Sequence, residues 1–121
     1  MPKNILCVDD SPTIRMLLKK TLEPLGYTVY LAENGQDGID QAKTTDLSMI
    51  IMDVNMPVLG GFDAVKAIKE LPGKANTPVV FLTTENAVDK KKMGKDLGVQ
   101  GWIVKPFEPA SLEKVIKSLV G

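Results

Sequence analysis

Three aspartates, a threonine and a lysine stand where apolar runs stop. Asp9 and Asp10 follow 5–8, Asp53 follows 49–52, Thr83 follows 78–82 and Lys105 follows 101–104. A carboxylate at the mouth of a buried strand is expensive to desolvate and needs partners. Three carboxylates within ~5 Å would repel by roughly 3 kcal/mol per pair at an effective dielectric near 20. A divalent cation or a lysine among them makes such a cluster tolerable. Oxygen ligands in a chain without histidine point to Mg²⁺, which keeps several waters. Lys105 cannot ligate, but its ammonium can pair with Asp53 or with an oxyanion arriving there. A cation, a lysine and a hydroxyl around one carboxylate are what phosphoryl transfer onto that carboxylate needs. The cation and lysine stabilise the equatorial oxygens, and Thr83 can donate to a third. Asp53 is then the nucleophile, and a mixed anhydride forms on it.

The elements that must bring these residues together are legible as runs and breaks. Residues 49–52, Met-Ile-Ile-Met, read as a strand buried on both faces, and Pro57 breaks the chain four residues after Asp53. Residues 4–8 form a first strand ending at Asp9-Asp10, and Ser11-Pro12 then suits the cap and first turn of a helix. Ile14, Leu17, Leu18, Thr21, Leu22 and Leu25 recur at helical spacing until Gly26 supplies a stop. Residues 27–32 alternate more, as an edge strand would, and 37–43 form a short helix. Phe62, Val65, Ile68 and Leu71 mark a third helix, closed by Pro72-Gly73. Residues 78–82 and 101–104 are further strands. Residues 86–97 read as a weakly anchored helix, with Val88, Met93 and Leu97 set against four lysines and an internal Gly94. A last helix buries Leu112, Val115, Ile116 and Leu119.

Five strands alternating with five helices specify an α/β fold: a doubly wound parallel sheet, joined by right-handed crossovers and covered on both faces. Sites in such sheets form beyond the carboxyl ends of the strands, where the strand order reverses. The chain of 121 residues is read as one domain. Lys+Arg and Asp+Glu both number 15, so nothing draws it to nucleic acid in bulk. The first strand is too short for a signal peptide or membrane span, which leaves a cytoplasmic location as the expectation. The single Cys7 excludes an internal disulfide and reads as a buried, inert thiol.

Plainer readings exist for each residue. Asp9-Asp10 would serve as a dipole cap worth about 0.3–1 kcal/mol, Thr83 would close a strand, and Lys105 would be a solvated charge before proline. Taken together, at the ends of four strands, they are better explained by one site. A flavin-binding protein of similar fold would need a phosphate-cradling loop after the first strand, where this chain has two aspartates. A haloacid-dehalogenase-like phosphatase would need a second carboxylate two residues after a nucleophile on the first strand. Here Asn55 follows a nucleophile on the third. A degenerate, unphosphorylated adaptor would lack one of the acidic or lysine positions.

The ordered set Val8-Asp9-Asp10, Met52-Asp53-Val54-Asn55-Met56-Pro57, Gly61, Leu82-Thr83 and Val104-Lys105-Pro106-Phe107 resembles a response-regulator receiver domain of the stand-alone chemotaxis type. The resemblance runs from residue 5 to 121 and implies the flavodoxin-like strand order 2-1-3-4-5. It implies that Asp53 accepts a phosphoryl group from a phosphohistidine on a histidine kinase. It further implies that Asp10, Asp53 and the backbone carbonyl of Asn55 ligate Mg²⁺, with Asp9 acting through water, and that Thr83 and Lys105 hold the phosphoryl group. Trp102, three residues before Lys105, takes the place of a switch aromatic and turns into space vacated when Thr83 moves toward the phosphate. Thr84 departs from the alanine common at that position.

The expected role is a signalling switch that catalyses only its own Mg²⁺-dependent phosphorylation and dephosphorylation. With no further domain after residue 121, output is expected through a protein surface of a monomer, without nucleic acid or membrane. The lysines of 86–97 read equally as a wet helix face or a docking surface. The expected target is a component such as the flagellar motor switch. A receiver in a phosphorelay outside chemotaxis, or a phosphate sink, is the alternative.

Overall fold

Residues 5–8 are apolar without a break, so both faces of the first strand need cover, and both receive it. The computed structural model describes residues 3–54, 56, 59–83, 98–105 and 107–120. Its strands are β1 (Asn4–Val8), β2 (Thr28–Ala32), β3 (Met49–Asp53), β4 (Val79–Thr83) and β5 (Gly101–Val104). They form one parallel sheet in the order β2-β1-β3-β4-β5, as the resemblance implied. The four α-helices among the described residues are α1 (Pro12–Leu22), α2 (Gly35–Thr44), α3 (Gly61–Lys69) and α4 (Pro109–Val120). The helix expected over 86–97 lies outside the described residues. Among them, no helix is long and apolar enough to cross a membrane.

Alternation along the strands divides the interior in two. Ile5, Cys7, Met49, Ile51, Val80, Leu82 and Ile103 face α1 and α4 through Leu18, Leu22, Leu112 and Ile116. Leu6, Val8, Ile50, Met52, Val79 and Phe81 face α2 and α3 through Ile39, Ala42, Ala64, Val65 and Ile68. The central strands β1, β3 and β4 are buried almost throughout, whereas edge strand β2 is only half-buried over most of its length.

Several boundaries differ from the sequence reading for local reasons. Helix α1 stops at Leu22 and passes into a 3-10 turn over Glu23–Leu25, with Gly26 at φ 97° capping the turn. Pro24 has no N–H to continue an α-helical ladder. Leu17 and Leu25 lie at 37% and 36% exposure instead of in the core. The inward stripe is Ile14, Leu18 and Leu22, and Leu17 is turned about 100° from Leu18 around the helix. Helix α2 begins at Gly35 and not at Asp37, because the Asn34 side chain accepts from the Asp37 N–H at 2.8 Å. Helix α3 ends at Lys69, two residues before Leu71, whose N–H turns back to the Ile68 carbonyl at 3.0 Å.

Candidate functional site

Parallel pairing aligns the carboxyl ends of β1, β3, β4 and β5 along one rim. Asp9 leaves β1 with its N–H donating to the Ala32 carbonyl at 3.1 Å. The parity that sends Cys7 toward α1 and α4 also sends Asp9 that way. Its carboxylate is fully buried and accepts from the Ser11 N–H at 2.8 Å. Ser11 is the N-cap of α1, its Oγ accepting from the Ile14 N–H at 3.3 Å. One helical turn on, an Arg15 guanidinium nitrogen donates to the Asp9 carbonyl at 2.7 Å. Asp10, next in sequence, is exposed.

Asp53 closes β3 and is 3% exposed. The turn behind it is held by Val54 N–H to the Leu82 carbonyl at 3.1 Å and Gly61 N–H to the Val54 carbonyl at 3.0 Å. A Cβ at Gly61 would lie 2.3 Å from the Asp53 carbonyl oxygen, so only glycine lets α3 start this close to the acceptor strand.

Lys105 reaches across from the end of β5. Its Nζ is 2.8 Å from Asp9 Oδ2 and 3.3 Å from Asp53 Oδ2. Partial burial pulls the ammonium pKa down, but the hydrogen bond and charge of Asp9, then the charge of Asp53, outweigh it and leave the pKa raised. The Lys105 N–H donates to the Thr83 carbonyl at 2.8 Å, which sets the ends of β4 and β5 level. Thr83 is buried there, paired in register with Val104. Cys7, below the site, is a buried thiol whose pKa is raised by burial and then by the Asp9 charge. Its burial is as expected.

Carboxylate oxygens of Asp9, Asp10 and Asp53 lie within 4.8 Å of one another. Among the described residues, three carboxylates face the single ammonium of Lys105, a formal charge of minus two. An all-oxygen donor set with that imbalance, open to solvent on the Asp10 side, fits a divalent hard cation such as Mg²⁺.

The structure therefore brings Asp9, Asp10, Asp53 and Lys105 together and puts Thr83 at the adjoining strand end. Asn55, Thr84 and the lysines of 86–97 lie outside the described residues. Trp102 is not at the rim: its half-buried indole packs on Phe81 at 5.0 Å and faces Phe62 at 6.2 Å. Three features escaped the sequence reading. Asp9 is a closer partner of Lys105 than Asp53 is, and Arg15 and the Ser11 N–H brace Asp9. The only signal for the bracing was Ser-Pro at a helix start followed, one turn later, by an arginine.

The family model "Response regulator receiver domain" matches residues 5–117. The chain is 40% identical to the Vibrio cholerae chemotaxis protein CheY4, whose structure superposes with a TM-score of 0.95 over 98% of this chain and 99% of that one. It is 35% identical to Protein PilH of Pseudomonas aeruginosa over 116 residues, 96% of each chain. The receiver domain of the P. aeruginosa sensor histidine kinase PA1611 is 26% identical, with a TM-score of 0.91 over 100% of this chain and 99% of that one. That structure has a magnesium ion coordinated in its active-site cleft. The chain spans about half the length of other curated relatives, which are transcriptional regulators.

Proposed function

The chain belongs to the response regulator receiver domain family, and from that premise we propose that it is a phosphorylation switch whose acceptor is Asp53. Receiver domains are signalling switches that accept phosphate from histidine kinases and act on target proteins. The observation that carries the assignment is Asp53 at the end of a buried strand, 3.3 Å from the Lys105 ammonium and clustered with Asp9 and Asp10 within 4.8 Å.

Asp10 and Asp53 would hold Mg²⁺ together with the Asn55 carbonyl, and Asp9 would act through water. When bound, the cation supplies charge that offsets the oxygens of the transferring group. The chain's own residues do the rest. Lys105 leans on buried Asp9 and so stays extended across the rim, where it can turn to an incoming oxyanion. Thr83 offers its hydroxyl from the next strand. Asp53 attacks phosphorus through a carboxylate oxygen, the bond to the donor's leaving group breaks, and an acyl phosphate remains. Water later attacks that phosphorus and releases inorganic phosphate, so the chain catalyses only its own charging and discharging.

Residues 1–121 act in this reading as one monomeric receiver unit in the cytoplasm, signalling through a protein surface. The likeness to a chemotaxis protein supports a place in chemotaxis with a flagellar motor switch component as target. A receiver in another phosphorelay, or a phosphate sink, is the alternative.

Incubation with acetyl phosphate and Mg²⁺ should add one phosphoryl mass, absent in Asp53→Asn. Equal labelling of that variant would refute the acceptor assignment. Pull-down with and without an acyl-phosphate mimic then separates the two pathways by whether flagellar switch components are retained.

A further inference from the structure

Trp102, the one tryptophan of the chain, belongs to a closed triangle of rings. Phe81 and Trp102 are paired across β4 and β5, with centroids 5.0 Å apart and planes at 40°. Phe62 meets Phe81 edge-on at 5.0 Å and 64°, and Trp102 at 6.2 Å and 59°. All three separations fall in the range where offset and edge-to-face pairs attract. Phe81 is fully buried, so it cannot shift far without displacing the two half-buried rings that pack on it.

Phe62 is also anchored to the acceptor strand. It directly follows Gly61, whose N–H bonds the Val54 carbonyl at 3.0 Å and whose would-be Cβ lies 2.3 Å from the Asp53 carbonyl oxygen and 2.9 Å from Val54 Cα. The first turn of α3 has almost no room to move relative to the end of β3. A displacement of the backbone at Asp53 must carry the Phe62 ring with it, and the ring bears on the indole.

We propose that Phe62 is a positioning residue that couples Asp53 to Trp102 through the Asp53–Gly61 turn and the aromatic triangle, a second route that does not use the Thr83 hydroxyl. The inference rests on the receiver reading and adds to it a mechanical connection through α3. Such a coupling requires two arrangements of the triangle whose balance the state of Asp53 biases.

The test uses the full chain and the emission of Trp102, with beryllofluoride and Mg²⁺ as the phosphoryl mimic. Mass labelling by acetyl phosphate is followed in parallel on wild type, Phe62→Leu, Phe62→Tyr, Thr83→Ala and the Thr83→Ala/Phe62→Leu double variant. The emission change should fall to about half or less in Phe62→Leu, a loss within the usual size of a coupling mutation. Labelling should stay intact, and Phe62→Tyr, which keeps the ring, should respond as wild type does. Thr83→Ala should retain part of the response, and the double variant should lose it. If Phe62→Leu does not fold, Phe62→Met, flexible and of similar bulk, replaces it. A full response in the ringless variant overturns the proposal, as does a Thr83→Ala chain with no response left. A wild type that labels without any emission change overturns the coupling alone. One that does neither overturns the receiver reading as well.

Discussion

Replacing Lys105 by methionine keeps most of the aliphatic stem and removes a cation that, among the described residues, touches both buried carboxylates. In the structure its Nζ sits 2.8 Å from Asp9 Oδ2 and 3.3 Å from Asp53 Oδ2, with Asp9 fully buried. Breaking a buried ion pair from one side costs about 3–5 kcal/mol, because the remaining charge is left uncompensated. Asp9 Oδ1 keeps the Ser11 N–H, and the site opens to water near Asp10, so the lower end of that range applies. At a urea m-value of about 1.5 kcal/mol/M, a loss of ~3 kcal/mol lowers the unfolding midpoint by about 2 M.

The pH dependence has a definite sign. The Lys105 pKa is raised above its ordinary 10.5 in the folded chain. Its contribution is therefore complete below that value and is lost only as pH climbs through the raised one. At pH 7 the full effect is read. The substitution takes one positive charge away from the carboxylate cluster, so Mg²⁺ should restore stability to the variant. Saturation at about 100 times the dissociation constant returns about 2.7 kcal/mol. The assay is a pair of urea titrations at pH 7, with chelator and with millimolar Mg²⁺. A midpoint in chelator within 0.5 M (roughly 0.75 kcal/mol at that slope) of wild type would refute the claim that Lys105 neutralises the buried pair.

Two further outcomes follow from the burial pattern. Asp10→Ala should raise the chelator midpoint, because without metal it relieves repulsion on Asp9 and Asp53, whose oxygens lie within 4.8 Å, by an amount that the solvent exposure of Asp10 keeps small. It should nevertheless abolish most of the Mg²⁺-induced stabilisation, and a variant stabilised by Mg²⁺ as strongly as wild type would remove Asp10 from the ligand set. Cys7 should resist thiol reagents in the native chain, since burial and the Asp9 charge raise its pKa above the ordinary 9.0. Above pH ~9 the unfolded thiol loses its proton while the folded one keeps it. Stability should then fall by up to about 1.4 kcal/mol per pH unit. Cys7→Ala should flatten the midpoint between pH 9 and 10.5, and an unchanged slope would refute the assignment.

The layout of the site was written in the amino-acid order because parallel strands covered on both faces are continuously apolar. Their carboxyl ends therefore show as abrupt changes to Asp9, Asp53, Thr83 and Lys105. The start of α1 was legible for a similarly local reason, since Ser11 caps its own helix and Pro12 tolerates the first turn. Parity and stagger decided the rest. Consecutive residues Asp9 and Asp10 share a charge but take opposite fates, one buried against Lys105 and one in solvent. That depends on the height at which β1 ends beside β3. Gly61 stands in the motif set that carries the resemblance, but Phe62 looks like any helix-face residue, and only the packing of α3 against the end of β3 gives the glycine its contact with the Asp53 carbonyl. Phe62, Phe81 and Trp102 are separated by 19 and 21 residues of chain, and only the pairing of β4 with β5 under α3 brings their rings together. Residue type and periodicity are local properties and survive in sequence, whereas the distances that turn them into a site are set by how strands align and helices dock across the sheet.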